Sequence, residues 1–158
     1  MVLKIAGTTI SPGERRCVMI PLPNLYHSEP VLMPTHIIAG HKPGPTLLIS
    51  AAVHGDEING TEIIRRLLKL RFIKSLTGTL IAVPVVNVYG YLYQSRYLMD
   101  RRDLNRSFPG SSSGSIAARL AKLLVTELIS KASHLIDLHT GALHRSNMPQ
   151  IRASLHNK

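Results

Sequence analysis

With 158 residues, 44% of them hydrophobic, the chain is long enough for one globular domain with a real core and short for two. Its single cysteine, Cys17, excludes an internal disulfide, no charged-then-apolar leader precedes Ser11-Pro12-Gly13, and no apolar run approaches the roughly 20 residues of a membrane span. Nineteen Lys and Arg against nine Asp and Glu leave a formal charge of +10, which suits anionic partners without choosing between polyanions and small acids. The expectation is a cytoplasmic protein with no membrane role.

Residues 1–40 contain short β-like runs at 16–20 and 35–39 among many turn residues, and read as a β-rich lead-in. His41-Lys42-Pro43-Gly44-Pro45 is strong turn punctuation, and the continuous apolar run 46–53 behind it reads as a strand buried on both faces. From Asn59 the period changes: Ile63, Ile64, Leu67, Leu68 and Leu70 recur at helical spacing, with Arg65, Arg66 and Lys69 opposite, which predicts a helix of about three turns. Gly78 is read as its break. Residues 79–88 predict a second buried strand, with an end or irregularity at Pro84. A further helix is predicted over 115–130, its stripe formed by Ile116, Leu120, Leu123, Leu124 and Leu128, after an entry loop at 111–114. A short strand follows at 135–138. Strand, helix, strand, helix, strand implies right-handed crossovers and a largely parallel sheet, so the fold class is α/β, a mostly parallel or mixed sheet flanked by helices.

In such a sheet the loops at the C-terminal ends of the strands line the ligand crevice. His54 and Glu57 follow the first buried strand and His139 follows the third. Two imidazoles and a carboxylate from two such loops match a catalytic zinc site that keeps a fourth position open. An ion there would explain why a buried strand ends in His54-Gly55-Asp56-Glu57, groups that are costly to bury unpaired. The plainer reading is a histidine that hydrogen-bonds in its loop. Asp137, two residues before His139 on the same strand face, either orients that histidine or pairs with an arginine. His134 and His144 read as solvated.

Three motifs add a resemblance. His54-Gly55-Asp56-Glu57-Ile58-Asn59-Gly60, Arg101-Arg102-Asp103-Leu104-Asn105-Arg106-Ser107-Phe108-Pro109-Gly110 and Leu135-Ile136-Asp137-Leu138-His139-Thr140-Gly141 resemble, in order, those of the succinylglutamate desuccinylase and aspartoacylase family, a branch of the zinc carboxypeptidase fold. The resemblance covers about residues 46–152 and implies a zinc carboxypeptidase-like domain over 41–158 after the 1–40 lead-in. It implies zinc ligands His54, Glu57 and His139, and a substrate carboxylate held by Asn105 and Arg106, whose planar guanidinium can grip it bidentately. It further implies Arg96 as the group that polarises the scissile carbonyl and Arg152 as another substrate contact.

The implied chemistry is zinc-dependent amide hydrolysis of an N-acyl amino acid or similar small anionic acyl compound, with Arg96 stabilising the oxyanion. Relatives place the general-base glutamate well beyond the third zinc ligand, whereas Asp137 is the last acid here and residues 138–158 contain neither Asp nor Glu. The resemblance therefore implies an N-terminal portion with impaired turnover. A zinc-binding or interaction module without turnover is the alternative, and a homo-oligomer remains open. An electrostatic nucleic-acid binder trails both, because aromatic residues are only 4% and no nucleic-acid module is visible. A general base contributes about 10²- to 10⁴-fold. Steady-state assays with saturating zinc should therefore find this chain at least about a hundredfold slower than one carrying the family's downstream segment; rates within a fewfold of each other would mean that a base is already present.

Overall fold

The computed structural model describes residues 2–23 and 30–154. Strands β1 (Leu3–Ile5) and β2 (Thr8–Ile10) form a small antiparallel hairpin. Five strands form the main sheet: β3 (Arg15–Pro21), β4 (Leu32–Ala39), β5 (Lys42–Ala51), β6 (Thr77–Val83) and β7 (His134–Leu138), in the order β3-β4-β6-β5-β7. The pairings β3/β4 and β4/β6 are antiparallel, while β5 pairs in parallel with both β6 and β7. The sheet is therefore mixed, and its N-terminal strands belong to it.

Alternation along the strands sorts the core onto two faces. Ile37, Leu48 and Ile81 pack with helix α3 (Ile116–Glu127) through Leu120, Ala121 and Leu124. Their neighbours Ile38, Ile49 and Leu80 pack on the other face with helix α1 (Asn59–Leu67) through Ile64, and with Leu68 just beyond it. Helices on both faces of a mixed sheet are what the strand–helix alternation predicted.

Several boundaries differ from the periodic reading. Strand β5 starts at Lys42 inside the expected turn and ends at Ala51. Its pairing with β6 shifts between Lys42 and Thr46, and β7 pairs with β5 only from Leu47 onward, so Pro43 and Pro45 sit where β7 asks for no N–H. Strand β6 stops at Val83, before Pro84. The rest of the expected strand turns into a short helix, α2 (Val88–Leu92), whose start Asn87 caps by accepting the Gly90 N–H at 2.8 Å. Helix α1 runs nine residues, and Ile63 and Leu70, assigned to its apolar stripe, are 54% and 45% exposed. The stripe that packs is Gly60, Ile64, Leu67 and Leu68. The chain then passes through a 3₁₀ turn, Arg71–Ser75, so Gly78 lies within β6 rather than at the helix end.

The turn that carries His54 and Glu57 depends on close backbone approach. A Cβ on Gly55 would collide with the backbone of Gly90 and Tyr91, so the turn and α2 touch through glycine. Leu120, fully buried, should cost about 2–5 kcal/mol as Leu120→Ala in urea titrations, whereas Ile63→Ala should stay within about 0.5 kcal/mol.

Candidate metal centre

Ala52, at φ 51°, turns the chain sharply at the end of β5. Backbone bonds from Val86 and Asn87 to the carbonyls of Ala51 and Ala52 hold the turn against the segment leaving β6. The Glu57 N–H then closes on the His54 carbonyl at 3.1 Å, which brings these two side chains together although they are three residues apart. From the neighbouring strand end, His139 joins them, because parallel pairing sets Ala51 opposite Leu138.

Glu57 is the hub. Its Oε1 lies 2.8 Å from His54 Nδ1 and its Oε2 2.9 Å from His139 Nδ1, and Oε2 also accepts the Thr140 N–H at 2.9 Å. His54 and Glu57 are each 3% exposed, against 34% for the His139 side chain. One ligand atom from each residue lies within 4.8 Å of the others, so the three could hold a metal ion. The donor chemistry fits: both Nδ1 atoms face the carboxylate, and each Nε2 is backed by another carboxylate, Asp103 at 3.1 Å from His54 and Asp137 at 2.7 Å from His139. Carboxylates behind ligating imidazoles fix the ring and its tautomer. Asp137 also accepts the Ser50 hydroxyl at 2.8 Å, so of its two expected roles it takes the orienting one.

Protonation follows from this packing. Burial alone would raise Glu57, but the hydrogen bonds from His139, His54 and the Thr140 N–H outweigh it and hold the carboxyl well below the usual range. Hydrogen bonds to Asp137 and then Glu57 push His139 up to about 10 against the opposing effect of burial. Asp103 is lowered: its partial burial acts upward, and the hydrogen bonds from His54 and Arg96 overcome it.

Arg96 donates to Asp103 Oδ2 from Nη2 at 2.9 Å and from Nε at 3.2 Å, and its Nη1 lies 3.5 Å from Glu57 Oε1. Arg106 is 85% exposed, with Nε 3.9 Å from Asp103. Asn105 opens onto a largely apolar cleft whose walls include Phe108, Leu135 and Asp137. Arg152 lies exposed in the 145–154 segment, which has no regular secondary structure, and, among the described residues, makes no hydrogen bond or ion pair with the centre. His134 and His144 are exposed. Asp103 is the residue to which sequence reasoning gave no role in the centre: it was quoted within the second motif, in an arginine-rich stretch, and nothing local ties it to His54.

A mixed sheet with this His-Glu-His cluster at its strand ends defines a protein of carboxypeptidase-like fold. A metallo-carboxypeptidase from Pseudomonas aeruginosa shares that fold, with TM-score 0.57 and 17% identity over 72% of this chain and 32% of the other. Residues 43–158 match the succinylglutamate desuccinylase/aspartoacylase catalytic domain, and the chain belongs to that family. The crystal structure of a succinylglutamate desuccinylase/aspartoacylase from Rhodobacter sphaeroides is 30% identical, with TM-score 0.74, over 81% of this chain and 41% of that one. An N-alpha-acetyl-L-2,4-diaminobutyric acid deacetylase from Halomonas elongata is 31% identical over 112 residues, 70% of this chain and 32% of the relative. The chain thus spans about a third of the deacetylase and about two fifths of the solved structure. Among the described residues no helix is long and apolar enough to cross a membrane.

The protonation states set a pH dependence for the metal-free chain. His139, raised above its ordinary 6.5, contributes stability that is complete below about pH 6.5 and lost as pH rises through about 10. Glu57, depressed below 4.5, contributes stability present above that value and lost as pH falls. With a chelator present, Tm should therefore fall between pH 6.5 and 10, and His139→Gln should flatten that slope; a wild-type Tm that is level across this window would show that the imidazole is uncharged.

Proposed function

We propose that this chain carries the zinc site of a deacylase that hydrolyses the amide bond of an N-acyl amino acid or similar small anionic acyl compound. The observation that carries this reading is the Glu57 carboxylate with an Nδ1 of His54 and of His139 against its two oxygens and a guanidinium beside it. His54, Glu57 and His139 would hold the zinc, an open three-ligand set. When bound, the zinc supplies a Lewis acid for the scissile carbonyl and for the attacking water. Arg96 stabilises negative charge on the carbonyl oxygen, and its anchoring on Asp103 keeps that cation oriented before reaction. Asn105 and Arg106 hold the substrate carboxylate from the loop beside the centre, with Arg152 as a further contact. The Halomonas elongata relative supports the acetyl amino acid class, since its name gives N-alpha-acetyl-L-2,4-diaminobutyric acid as the compound it deacetylates.

A second reading, zinc binding without turnover, is favoured by the commitments of the nearby acids. Glu57 serves the histidines, Asp103 and Asp137 back them, Asp100 accepts the Ala117 N–H and Glu62 pairs with Arg65 and Arg66. Asp56 Oδ1 is the one buried carboxylate oxygen of the described residues with no partner.

Zinc titration against a chromophoric chelator should give one equivalent for the wild-type chain and none for His139→Ala. An unchanged equivalent at unchanged affinity in that variant would sink the ligand assignment. In calorimetry N-alpha-acetyl-L-2,4-diaminobutyric acid should bind more tightly than its carboxamide by about 1.5–3 kcal/mol, the worth of one charge-assisted pair. Arg106 is well exposed, so the lower end is expected. Equal binding of the two would remove Arg106 as the carboxylate anchor.

A further inference from the structure

Asp103 touches His54, Arg96 and the turn that carries Asn105 and Arg106. Its side chain is 10% exposed. Oδ1 lies 3.1 Å from His54 Nε2 and accepts the Asn105 N–H at 2.9 Å. Oδ2 takes two donors from Arg96, at 2.9 and 3.2 Å. Its own carbonyl accepts the Ser107 hydroxyl at 2.9 Å and the Arg106 N–H at 3.2 Å, closing the 3₁₀ turn Leu104–Arg106 around it. Because Arg96 Nη1 also lies 3.5 Å from Glu57, the contacts form a ring: Glu57, His54, Asp103, Arg96 and back to Glu57.

We propose that Asp103 is a positioning residue that couples the metal ligands to the substrate-binding side of the site, so that metal and an anionic acyl ligand reinforce each other through this carboxylate. The inference rests on the zinc-deacylase reading above. Its two oxygens do separate work. With a cation in the site, Oδ1 would accept the Nε2 proton of His54, so that Nδ1, which faces Glu57 in the metal-free chain, would turn its lone pair to the cation. The same oxygen anchors the start of the turn that carries Asn105 and Arg106. Oδ2 holds Arg96. A cation at Glu57 repels the Arg96 contact on that carboxylate, which leaves Asp103 as the anchor that keeps the guanidinium over the site. Without it, filling the metal site would displace Arg96.

The isosteric Asp103→Asn separates these roles: its amide oxygen still accepts from His54 and Asn105, whereas its NH₂ group faces the Arg96 cation and cannot accept from it. Two affinities are measured in the full chain: zinc alone by chelator competition, and N-alpha-acetyl-L-2,4-diaminobutyric acid by calorimetry with and without zinc. In the wild type, zinc should tighten the acetyl compound at least about fivefold, and by linkage the acetyl compound should tighten zinc by the same factor. Asp103→Ala should weaken zinc about 10- to 100-fold. Asp103→Asn should recover zinc affinity to within a fewfold while its coupling factor falls toward one. That split is what a merely structural role would not produce. Wild-type coupling in Asp103→Asn would overturn the proposal, as would unchanged zinc affinity in a folded Asp103→Ala. Failure of the zinc reading itself is distinguishable, because His139→Ala would then keep wild-type zinc affinity whatever Asp103 does.

Discussion

A buried carboxylate sets the terms for the rest of this structure. Glu57 is 3% exposed, and an ionised carboxylate at that depth is tolerated only when its oxygens are saturated by donors or a cation. His54, His139 and the Thr140 N–H saturate it here. These partners come from two strand ends separated by more than eighty residues, so the charge is compensated only when β5 and β7 lie side by side in register. Parallel pairing with Ala51 opposite Leu138 is thus an electrostatic requirement as well as a hydrogen-bonding one.

The two halves of the centre differ in support. His54 and Glu57 rest on the turn after β5, packed between α1 and α2, where Gly55 meets Gly90 and Gly60 meets Ala51 and Leu138 with no room for a Cβ. His139 rests on five residues of β7, which among the described residues pairs with β5 alone and leaves Leu135 and Ile136 about half exposed. A short strand with few buried apolar contacts belongs to the low end of local stability. Interactions that tie His139 to Glu57 therefore also tie β7 to the sheet.

Charge is organised on two scales. The surplus of +10 is carried by exposed residues such as Arg66, Arg101 and Arg102, a long-range field that draws anions toward the chain. The centre itself is lined by acids: Glu57, Asp103 and Asp137 stand against Arg96 and the imidazoles. Net composition pointed to acidic ligands, and the local carboxylates point to a cation between them; the two are compatible because one acts at the surface and the other within a few ångströms.

The sequence by itself determined the class of fold and singled out the residues of the His-Glu-His cluster. Apolar runs and 3.6-residue spacing are local properties, so the buried strands, the α3 stripe and the polar residues closing each strand were readable, and three motifs in order carried the family. It marked the end at Pro84 but did not show that the run beyond it becomes α2, because nothing local separates a strand from the Asn87-capped turn, which packs against Gly55. It did not separate the packed side of α1 from Ile63 and Leu70, which depends on which sheet face the helix covers. Nor did it show Asp103 as the junction of the site. His54 lies 49 residues away from it, and only the folding of the sheet converts that separation into a 3.1 Å contact: composition and period are written along the chain, whereas register and charge pairing exist only between segments that tertiary packing has brought together.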